Sequence, residues 1–300
     1  MLHITNGDCA VVVLQQAVQG EFLPWRDVLH EGPVHGGVPL EGLSRWRAGF
    51  IASAASLPLQ EAERQFAERD AALARAREHD EVVLWFEHDL YDQLQLIQLL
   101  DWFAAHPHPR LSLVCEAEYL GHMTPARAAA LFAARRPVTV VELQAGSVAW
   151  GAFASPNPRA IRLEPVSGLP FLAPALQRLL EEFPWTHDGL SRLERQVLEA
   201  LRDGPLPFAE LFPRAHHNRE DPVFLGDAVL VWHLERLAAD ALIRKDGDDA
   251  ITSKGRDVLD GRRDAWSWPR RARWIGGYEI RDGRLRWDPE TMRLVTKLSE

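Results

Sequence analysis

Short apolar runs alternate with longer amphipathic segments along the first half of the chain, and this pattern predicts strands followed by helices. The apolar runs interpreted as strands lie at 2–5, 21–34, 81–86, 110–116 and 137–143. The segments interpreted as helices lie at 9–18, 41–79, 90–104 and 124–134. Strands that alternate with helices favour a mainly parallel sheet covered on both faces, so we predict a doubly wound, Rossmann-like α/β fold.

Residues that commonly start or stop helices support these boundaries. Asp8 is a good N-cap and Gly20 a common stop, which favours a helix over 9–18, although the valines there would also suit a strand. Thr124 is followed by Pro125, which suits the first position of a helix.

The second half of the chain has a different pattern. A Pro-rich polar stretch at 154–170 precedes helices predicted at 171–183 and 191–204, and Ser191 and Glu194 match a capping box at the start of the latter. Three helices followed by a hairpin with a DGDD turn indicate a winged helix. The predicted division is an α/β domain at 1–153, a linker and helix at 154–190, and a winged-helix-like, mostly helical domain with a C-terminal tail at 191–300.

Composition narrows the class of protein. Hydrophobic residues make up 46% and charged residues 26%, which is typical of a soluble globular chain. No apolar stretch has the length of a membrane span or the form of a signal peptide, so we expect a cytoplasmic protein with no membrane partner. Cys9 and Cys115 make neither a disulfide framework nor a Cys-x-x-Cys zinc motif, and we predict that both are buried free thiols.

The charge is unevenly distributed. The net charge is −9, and residues 191–300 carry equal numbers of acidic and basic residues, so the excess of acids lies in residues 1–190. Because contacts with phosphates supply most non-specific affinity for nucleic acids, an acidic first half disfavours such a partner. The sequence also has no Gly-x-Gly-x-x-Gly and no Walker-type loop, so neither common phosphate-binding motif is present.

Polar clusters follow the first three predicted strands. Their members are Asn6, Gly7 and Asp8; then Arg26, Asp27, His30 and Glu31; then Glu87, His88, Asp89, Asp92 and Gln93. Ligands of open α/β sheets bind outside the carboxyl ends of the strands, and parallel neighbours bring these ends together at one edge. The sequence therefore predicts that the three clusters converge on one candidate site.

Carboxylates and histidines in one place can bind a divalent metal or act as a general acid–base pair, and crowded carboxylates raise one another's pKa. The hypothesis assigns metal-ligand or base roles to Asp27, Glu87 and Asp89, proton transfer to His30 or His88, and substrate contacts to Asn6 and Arg26. Gly7, Asp8, Glu31, Asp92 and Gln93 complete the predicted ligand-binding set.

Structural roles compete with these functional ones. Asp8 and Asp89 each precede a helix and could serve only as caps. Asp27 could pair with Arg26 or hold the His-Glu-Gly-Pro turn, and His30 could be a structural residue of that turn. Glu87 and Asp92 are harder to explain structurally, because Glu87 should emerge at the end of a strand and Asp92 should lie near Asp89 one helical turn further on.

Three of these segments carry a family resemblance. LHITNGD, LPWRDVLHEGPV and VVLWFEHDLYDQLQLIQLLDW resemble motifs of the bacterial family called domain of unknown function 1835. The C-terminal segment WIGGYEIRDGRLRWD is also similar to members of that family. The resemblance implies the α/β domain and treats the three motifs as one unit, but it implies no reaction and no catalytic roles.

The second half offers little to a nucleic acid. The candidate recognition helix at 226–240 has three acids against one arginine, and the predicted wing is acidic. Arginines alternate with tryptophans at 261–274, a pattern that suits base stacking or packing within the protein, and we favour an intramolecular or partner-binding role over DNA binding. His216 and His217 are interpreted as a solvated loop.

The leading functional hypothesis is an α/β domain that binds a small polar ligand, such as a nucleotide or a phosphorylated metabolite, at its strand ends. Metal-assisted hydrolysis with a divalent cation is one reaction that such a site supports. A second hypothesis is a ligand-sensing regulator whose winged helix contacts DNA or a partner protein. A third is an interaction protein without catalysis.

Overall fold

The computed structural model describes residues 1–297 and contains a five-stranded sheet. Its strands are β1 (Leu2–Thr5), β2 (Glu21–Pro24), β3 (Val82–Glu87), β4 (Leu111–Glu116) and β5 (Arg136–Pro137). The strand order is β2-β1-β3-β4-β5, in which β1 to β4 are parallel and β5 is antiparallel to β4. The predicted α/β fold with a mainly parallel sheet is confirmed.

Helices pack on both faces of this sheet, as such a sheet requires. They are α1 (Asp8–Leu14), α2 (Leu40–Ala54), α3 (Leu59–Ala74), α4 (Leu90–Ala105), α5 (Pro125–Ala134) and α6 (Val140–Phe153). Alternate side chains of β3 point to opposite faces: Val82 and Leu84 join the core that includes α4, whereas Val83 and Trp85 join the core of α1 and α5. Because both faces are covered, every residue of β3 is buried.

The prediction of a strand at 137–143 is wrong beyond its first residue. Thr139 and Glu142 form a capping box that starts α6, and this helix packs closely against α4. The β-branched residues Val140 and Val141 suggested a strand, but both are exposed on the first turn of the helix. Local hydrogen bonding at the cap and packing at Gly146 outweigh their strand propensity.

Three smaller predictions about the first half also need correction. The N-cap of α1 is Gly7, so Asp8 is the first helical residue, and the helix ends at Leu14, before Gly20. The strand β2 covers only Glu21–Pro24 of the predicted 21–34. Cys9 is exposed rather than buried, because α1 turns its apolar residues Ala10, Val13 and Leu14 towards the sheet.

The second half consists of helices, small hairpins and irregular chain. Its elements are α7 (Leu172–Leu180), α8 (Arg192–Ala200), α9 (Phe208–Phe212), a π-helical turn (Pro213–His217), α10 (Asp227–Ala239), β6 (Ile243–Lys245), β7 (Asp249–Ile251), α11 (Ser253–Leu259), β8 (Arg273–Ile275), β9 (Tyr278–Ile280), β10 (Leu285–Asp288) and β11 (Arg293–Thr296). The predicted capping box of Ser191 and Glu194 starts α8, and β6 and β7 form the predicted hairpin.

The buried apolar residues form clusters whose limits differ from the predicted domain boundaries at 153 and 191. The predicted division into domains stays a prediction. The apolar residues of α7 and of the tail, including Ile275 and Trp287, belong to the same core as the sheet. A second core is formed by residues between Leu190 and Ala265. None of the helices within residues 1–297 combines the length and apolar character that a membrane crossing needs.

Candidate functional site

The carboxyl ends of β1 and β3 lie side by side, and polar residues continue from both strands. Asn6 follows β1, Glu87 is the last residue of β3, and Asp89 is the N-cap of the 16-residue helix α4. Asp92 lies in the first turn of that helix. The short connection from a buried strand to a buried helix therefore brings three acids together by local geometry alone.

Glu87, Asp89 and Asp92, here called the acid cluster, are all buried, and one oxygen of each lies within 4.8 Å of the others. The backbone N–H of Leu120 donates to Glu87 Oε1 at 2.7 Å. The backbone N–H of Glu87 donates to Asp92 Oδ1 at 2.7 Å, and Asn6 Nδ2 donates to Asp92 Oδ2 at 2.9 Å. These bonds, with the one from Asp92 N to Asp89 Oδ1 at 3.0 Å, fix the three carboxylates but leave lone pairs on them for a further partner.

Burial raises the pKa of each acid in the cluster, since it disfavours the charged form. The pKa of Asp89 rises to about 7, because burial and the charge of Glu87 outweigh the helix-cap hydrogen bond from Asp92 N. Burial and the charges of both neighbours raise the pKa of Asp92 well above its usual range. Burial also raises the pKa of Glu87, against the hydrogen bond from Leu120.

Basic side chains do not neutralise the acid cluster. Among residues 1–297, no ion pair joins Glu87, Asp89 or Asp92 to an arginine, lysine or histidine. Three buried carboxylates this close are strongly unfavourable when all are ionised. The cluster therefore either retains protons or binds a cationic partner.

The acid cluster faces a cleft of about 640 Å³. Its lining residues are Asn6, Val28, His30, Glu87, Asp89, Tyr91, Asp92, Tyr119, His122, His217, Val223, Phe224, Leu225, Gly226, Ala228 and Val229. One wall thus comes from the ends of β1 and β3, whereas the opposite wall comes from Tyr119, the segment before α10 and the start of that helix. This volume lies within the range of about 300–1,000 Å³ that is typical of small-molecule sites.

His30 lines this cleft and has no hydrogen-bond partner on either ring nitrogen among the described residues, although only 2% of its surface is exposed. Its ring meets Phe224 and Tyr91 edge-on, with centroids 5.3 and 6.2 Å away. Burial lowers its pKa to about 4, so the imidazole is neutral at pH 7. A neutral imidazole offers one donor and one acceptor.

The second wall of the cleft is held by two side chains that we had not predicted as site residues. Tyr119 Oη donates to Val223 O at 3.0 Å and accepts from Val223 N at 2.6 Å. His216 Nε2 accepts from the backbone N–H of Leu225 at 3.0 Å. The prediction that His216 belongs to a solvated loop is wrong, because this residue is fully buried by the segment that it holds.

Asp27 is not part of the cleft, which corrects its predicted role as a metal ligand or base. Arg47 Nε donates to Asp27 Oδ1 at 3.0 Å, and both side chains are fully buried. Arg69 contributes a second positive charge, 3.7 Å from Asp27 Oδ2. Asp27 is therefore a structural residue, and its partner is not Arg26.

Glu31, predicted to bind ligand, joins the two halves of the chain instead. It accepts from Arg273 Nε at 3.0 Å and lies 2.9 Å from His233 Nε2. Burial alone would raise the pKa of Glu31, but the charges of Arg273 and His233 lower it to about 2. Glu31 is thus an ionised, buried anchor next to the cleft residue His30.

Asp8 and Arg26 form an exposed ion pair at the same edge of the sheet, 2.6 Å apart, and neither lines the cleft. Gly7 is the extended N-cap of α1. Arg26 has a φ of 48°, a conformation that is uncommon outside glycine. These three predicted residues therefore lie near the acid cluster without forming part of the cleft wall.

His88 and Gln93 also point away from the cleft. His88 lines a separate cavity of about 190 Å³, and burial lowers its pKa. Gln93 Nε2 donates to Glu87 O at 2.6 Å, so it stabilises the turn that carries the acid cluster. Of the predicted residues, the cleft is lined by Asn6, His30, Glu87, Asp89 and Asp92.

The sequence analysis did not predict the aromatic and apolar residues that line the cleft. Tyr91 and Tyr119 follow β3 and β4, so their position after strands was a usable signal. The segment 223–229 carried no signal, because only tertiary packing brings it to the strand ends.

No protein-family model matches this sequence, and the search of curated proteins found no match. The resemblance to domain of unknown function 1835 therefore stays a prediction.

Proposed function

We propose that the cleft binds a small polar ligand through the acid cluster, with a divalent cation as part of the site. The observation that carries this proposal is the presence of three buried carboxylates within 4.8 Å of one another and without a basic partner among the described residues. Isolated buried charges cost several kcal/mol each unless they are paired or bind a metal. A cation would relieve this cost.

The donor set fits a hard cation. Glu87, Asp89 and Asp92 offer only oxygen ligands, which Mg²⁺, Ca²⁺ and Mn²⁺ prefer, and no cysteine lines the cleft. When bound, such a cation lowers the pKa of a coordinated water and so supplies a nucleophile for hydrolysis. Metal-assisted hydrolysis of the ligand is therefore the reaction that we propose for this site.

The chain's own residues would orient the ligand. Asn6 holds Asp92 in place, and His30 lines the cleft next to Tyr91 with both ring nitrogens buried and without a partner among residues 1–297. With a pKa of about 4, the imidazole of His30 stays neutral at pH 7 and can form a hydrogen bond to the ligand. Tyr119 fixes the backbone at Val223 in the opposite wall through two hydrogen bonds.

Isothermal titration calorimetry with Mg²⁺, Ca²⁺ and Mn²⁺ tests the cation site. We expect one of these ions to bind the wild-type protein, and Glu87→Gln and Asp89→Asn to weaken that binding by at least about tenfold, or 1.4 kcal/mol. Both substitutions keep the shape of the side chain and remove its charge.

Glu63→Gln is the matched control, because Glu63 is an exposed acid on α3 and outside the cleft. It should bind the ion as the wild type does. Equal binding by the wild type and both cluster variants, or no binding of any ion, would exclude the cation from the site.

For the second half, we propose a winged-helix-like module made of α8, α9, α10 and the hairpin of β6 and β7. Its candidate recognition helix α10 does not favour a DNA-binding regulator. Trp232 packs against Phe50 of α2, with centroids 5.7 Å apart, and His233 pairs with Glu31. That helix therefore packs on the first half of the chain through these side chains.

The arginines of 261–274 also support an intramolecular role. Arg270 pairs with Glu194 and Asp240, and Arg273 pairs with Glu31. Lys254 lies 3.6 Å from the ring centroid of Trp268. These pairs take two of the five arginines of the segment away from phosphates, which favours the ligand-binding hypothesis over the regulator.

A further inference from the structure

We infer that the ligand of the cleft is a nucleoside without a phosphate group. The inference rests on the proposed function and adds the class of ligand to it. It follows from the contrast between the two walls, from the charge of the lining residues, and from the unpartnered His30.

The lining residues argue against a phosphate as the recognised group. They include three acids and three histidines, but no arginine and no lysine. Arg178 lies over the ring of the lining residue Phe224, but it is already paired with Glu182 and Glu220, and Arg26 at the same sheet edge is paired with Asp8. Without a bound cation, a phosphate beside the acid cluster would meet negative charge, whereas phosphate sites without a metal normally offer arginine, lysine or a glycine-rich loop.

The acid cluster matches hydroxyl donors. An ionised carboxylate is only an acceptor, and acidic side chains bind the ribose hydroxyls of dinucleotides in other α/β sheets. The adjacent hydroxyls of a ribose could donate to two acids at once, or bind a cation held by them. Glu87 and Asp89 lie at the carboxyl end of β3, the edge of an open α/β sheet where ligands bind.

The opposite wall matches a flat ring. Tyr119, Val223, Phe224 and Val229 give it a predominantly apolar surface, although Arg178 covers one face of Phe224, and aromatic side chains stack on every nucleobase. An apolar wall facing an acidic one requires a ligand with one polar and one flat part. A nucleoside has this division, and a simple sugar does not.

His30 adds a buried hydrogen-bonding group beside the cleft. Both of its ring nitrogens lack a partner among residues 1–297, and a neutral imidazole offers one donor and one acceptor. A nucleobase edge carries donors and acceptors and so can pair with either type of nitrogen. Tyramine, which has a flat ring and an ammonium donor for the acids but no ribose, is the competing ligand that the experiment below separates from a nucleoside.

Equilibrium binding of adenosine, guanosine, cytidine and uridine, each compared with its 5′-monophosphate and with tyramine, tests the inference without added divalent cation. We expect at least one nucleoside to bind about tenfold more tightly than its monophosphate, a difference of about 1.4 kcal/mol. Phe224→Leu should weaken that binding. Phe208→Leu on α9, outside the cleft, is the matched control and should leave it unchanged.

Three results would overturn the inference: monophosphates that bind at least as tightly as nucleosides, tyramine binding without nucleoside binding, or no nucleoside binding at all, with or without Mg²⁺, Ca²⁺ or Mn²⁺. The cation titration described above separates the two proposals. Cation binding without nucleoside binding would contradict the nucleoside inference but not the cation site. Nucleoside binding without cation binding would contradict only the proposed cation site.

Discussion

Arg47 and Asp27 form an ion pair that is fully buried on both sides, and it holds the segment between β2 and α2. Arg47 also donates to the carbonyl oxygens of Val28 and Glu31, at 2.8 and 2.7 Å. Because these contacts flank His30, the pair fixes the backbone that presents this histidine to the cleft. A residue expected to do chemistry thus supports a neighbour that lines the site.

Removing one partner of this pair should be costly. Asp27→Ala should lower the free energy of unfolding by about 3–5 kcal/mol, because it leaves the charge of Arg47 buried with only carbonyl partners. Urea denaturation monitored by tryptophan fluorescence measures this. Asp203→Ala, an exposed acid, should change stability by less than about 0.5 kcal/mol. If the Asp27→Ala protein kept wild-type stability but lost ligand binding, Asp27 would have a role in the site rather than in the fold.

Asp89→Asn should separate stability from ligand binding. Asparagine caps a helix as well as aspartate does, so α4 should keep its N-terminus. At pH 8 the substitution removes repulsion within the acid cluster, and stability should stay equal or rise by roughly 1 kcal/mol while cation binding weakens. Thermal unfolding and calorimetry on the same sample check both effects. A clear fall in stability would indicate that Asp89 serves the fold alone.

His216 should make the protein sensitive to acid. Burial and the charge of Arg178 lower its pKa to about 3, so the unfolded chain takes up a proton below its ordinary pKa of 6.5 while the folded chain does not. Stability should therefore fall as the pH drops from 6.5 towards 3, by at most about 1.4 kcal/mol per pH unit from this residue.

Urea denaturation at a series of pH values from 7 to 5 measures this slope. His216→Gln keeps an acceptor for the backbone N–H of Leu225 but does not titrate. Its stability should depend less steeply on pH. The same slope in both proteins would assign the acid sensitivity to other groups.

Gly146 should be required for the contact between α4 and α6. A Cβ at this position would lie 2.4 Å from Cβ of Leu100, so Gly146→Ala should cost about 1–3 kcal/mol by overpacking. Gly151 is on the same helix with no neighbour within 4 Å of such a Cβ, and Gly151→Ala should stabilise by roughly 0.5–1 kcal/mol. Chemical denaturation should therefore give stability changes of opposite sign for the two variants. Loss of stability in both would contradict a helix at this position.

The sequence by itself determined the features that depend on neighbours along the chain. The apolar runs predicted β1, β3 and β4, and the strand-to-helix connection predicted that Glu87, Asp89 and Asp92 meet. Both depend on short-range geometry, since a strand end and the first helical turn lie together wherever the rest of the chain goes. The capping box of Ser191 and Glu194 was visible for the same reason.

Tertiary structure alone decided the partners of the buried charges and the second wall of the cleft. Glu31 finds Arg273, 242 residues away, and Asp27 finds Arg47 on a helix whose packing the sequence does not specify. At 137–143, capping and close packing at Gly146 overrode the strand propensity of the valines. These outcomes depend on which distant surfaces meet, because burial and the pairing of charges are properties of the packed chain rather than of local sequence.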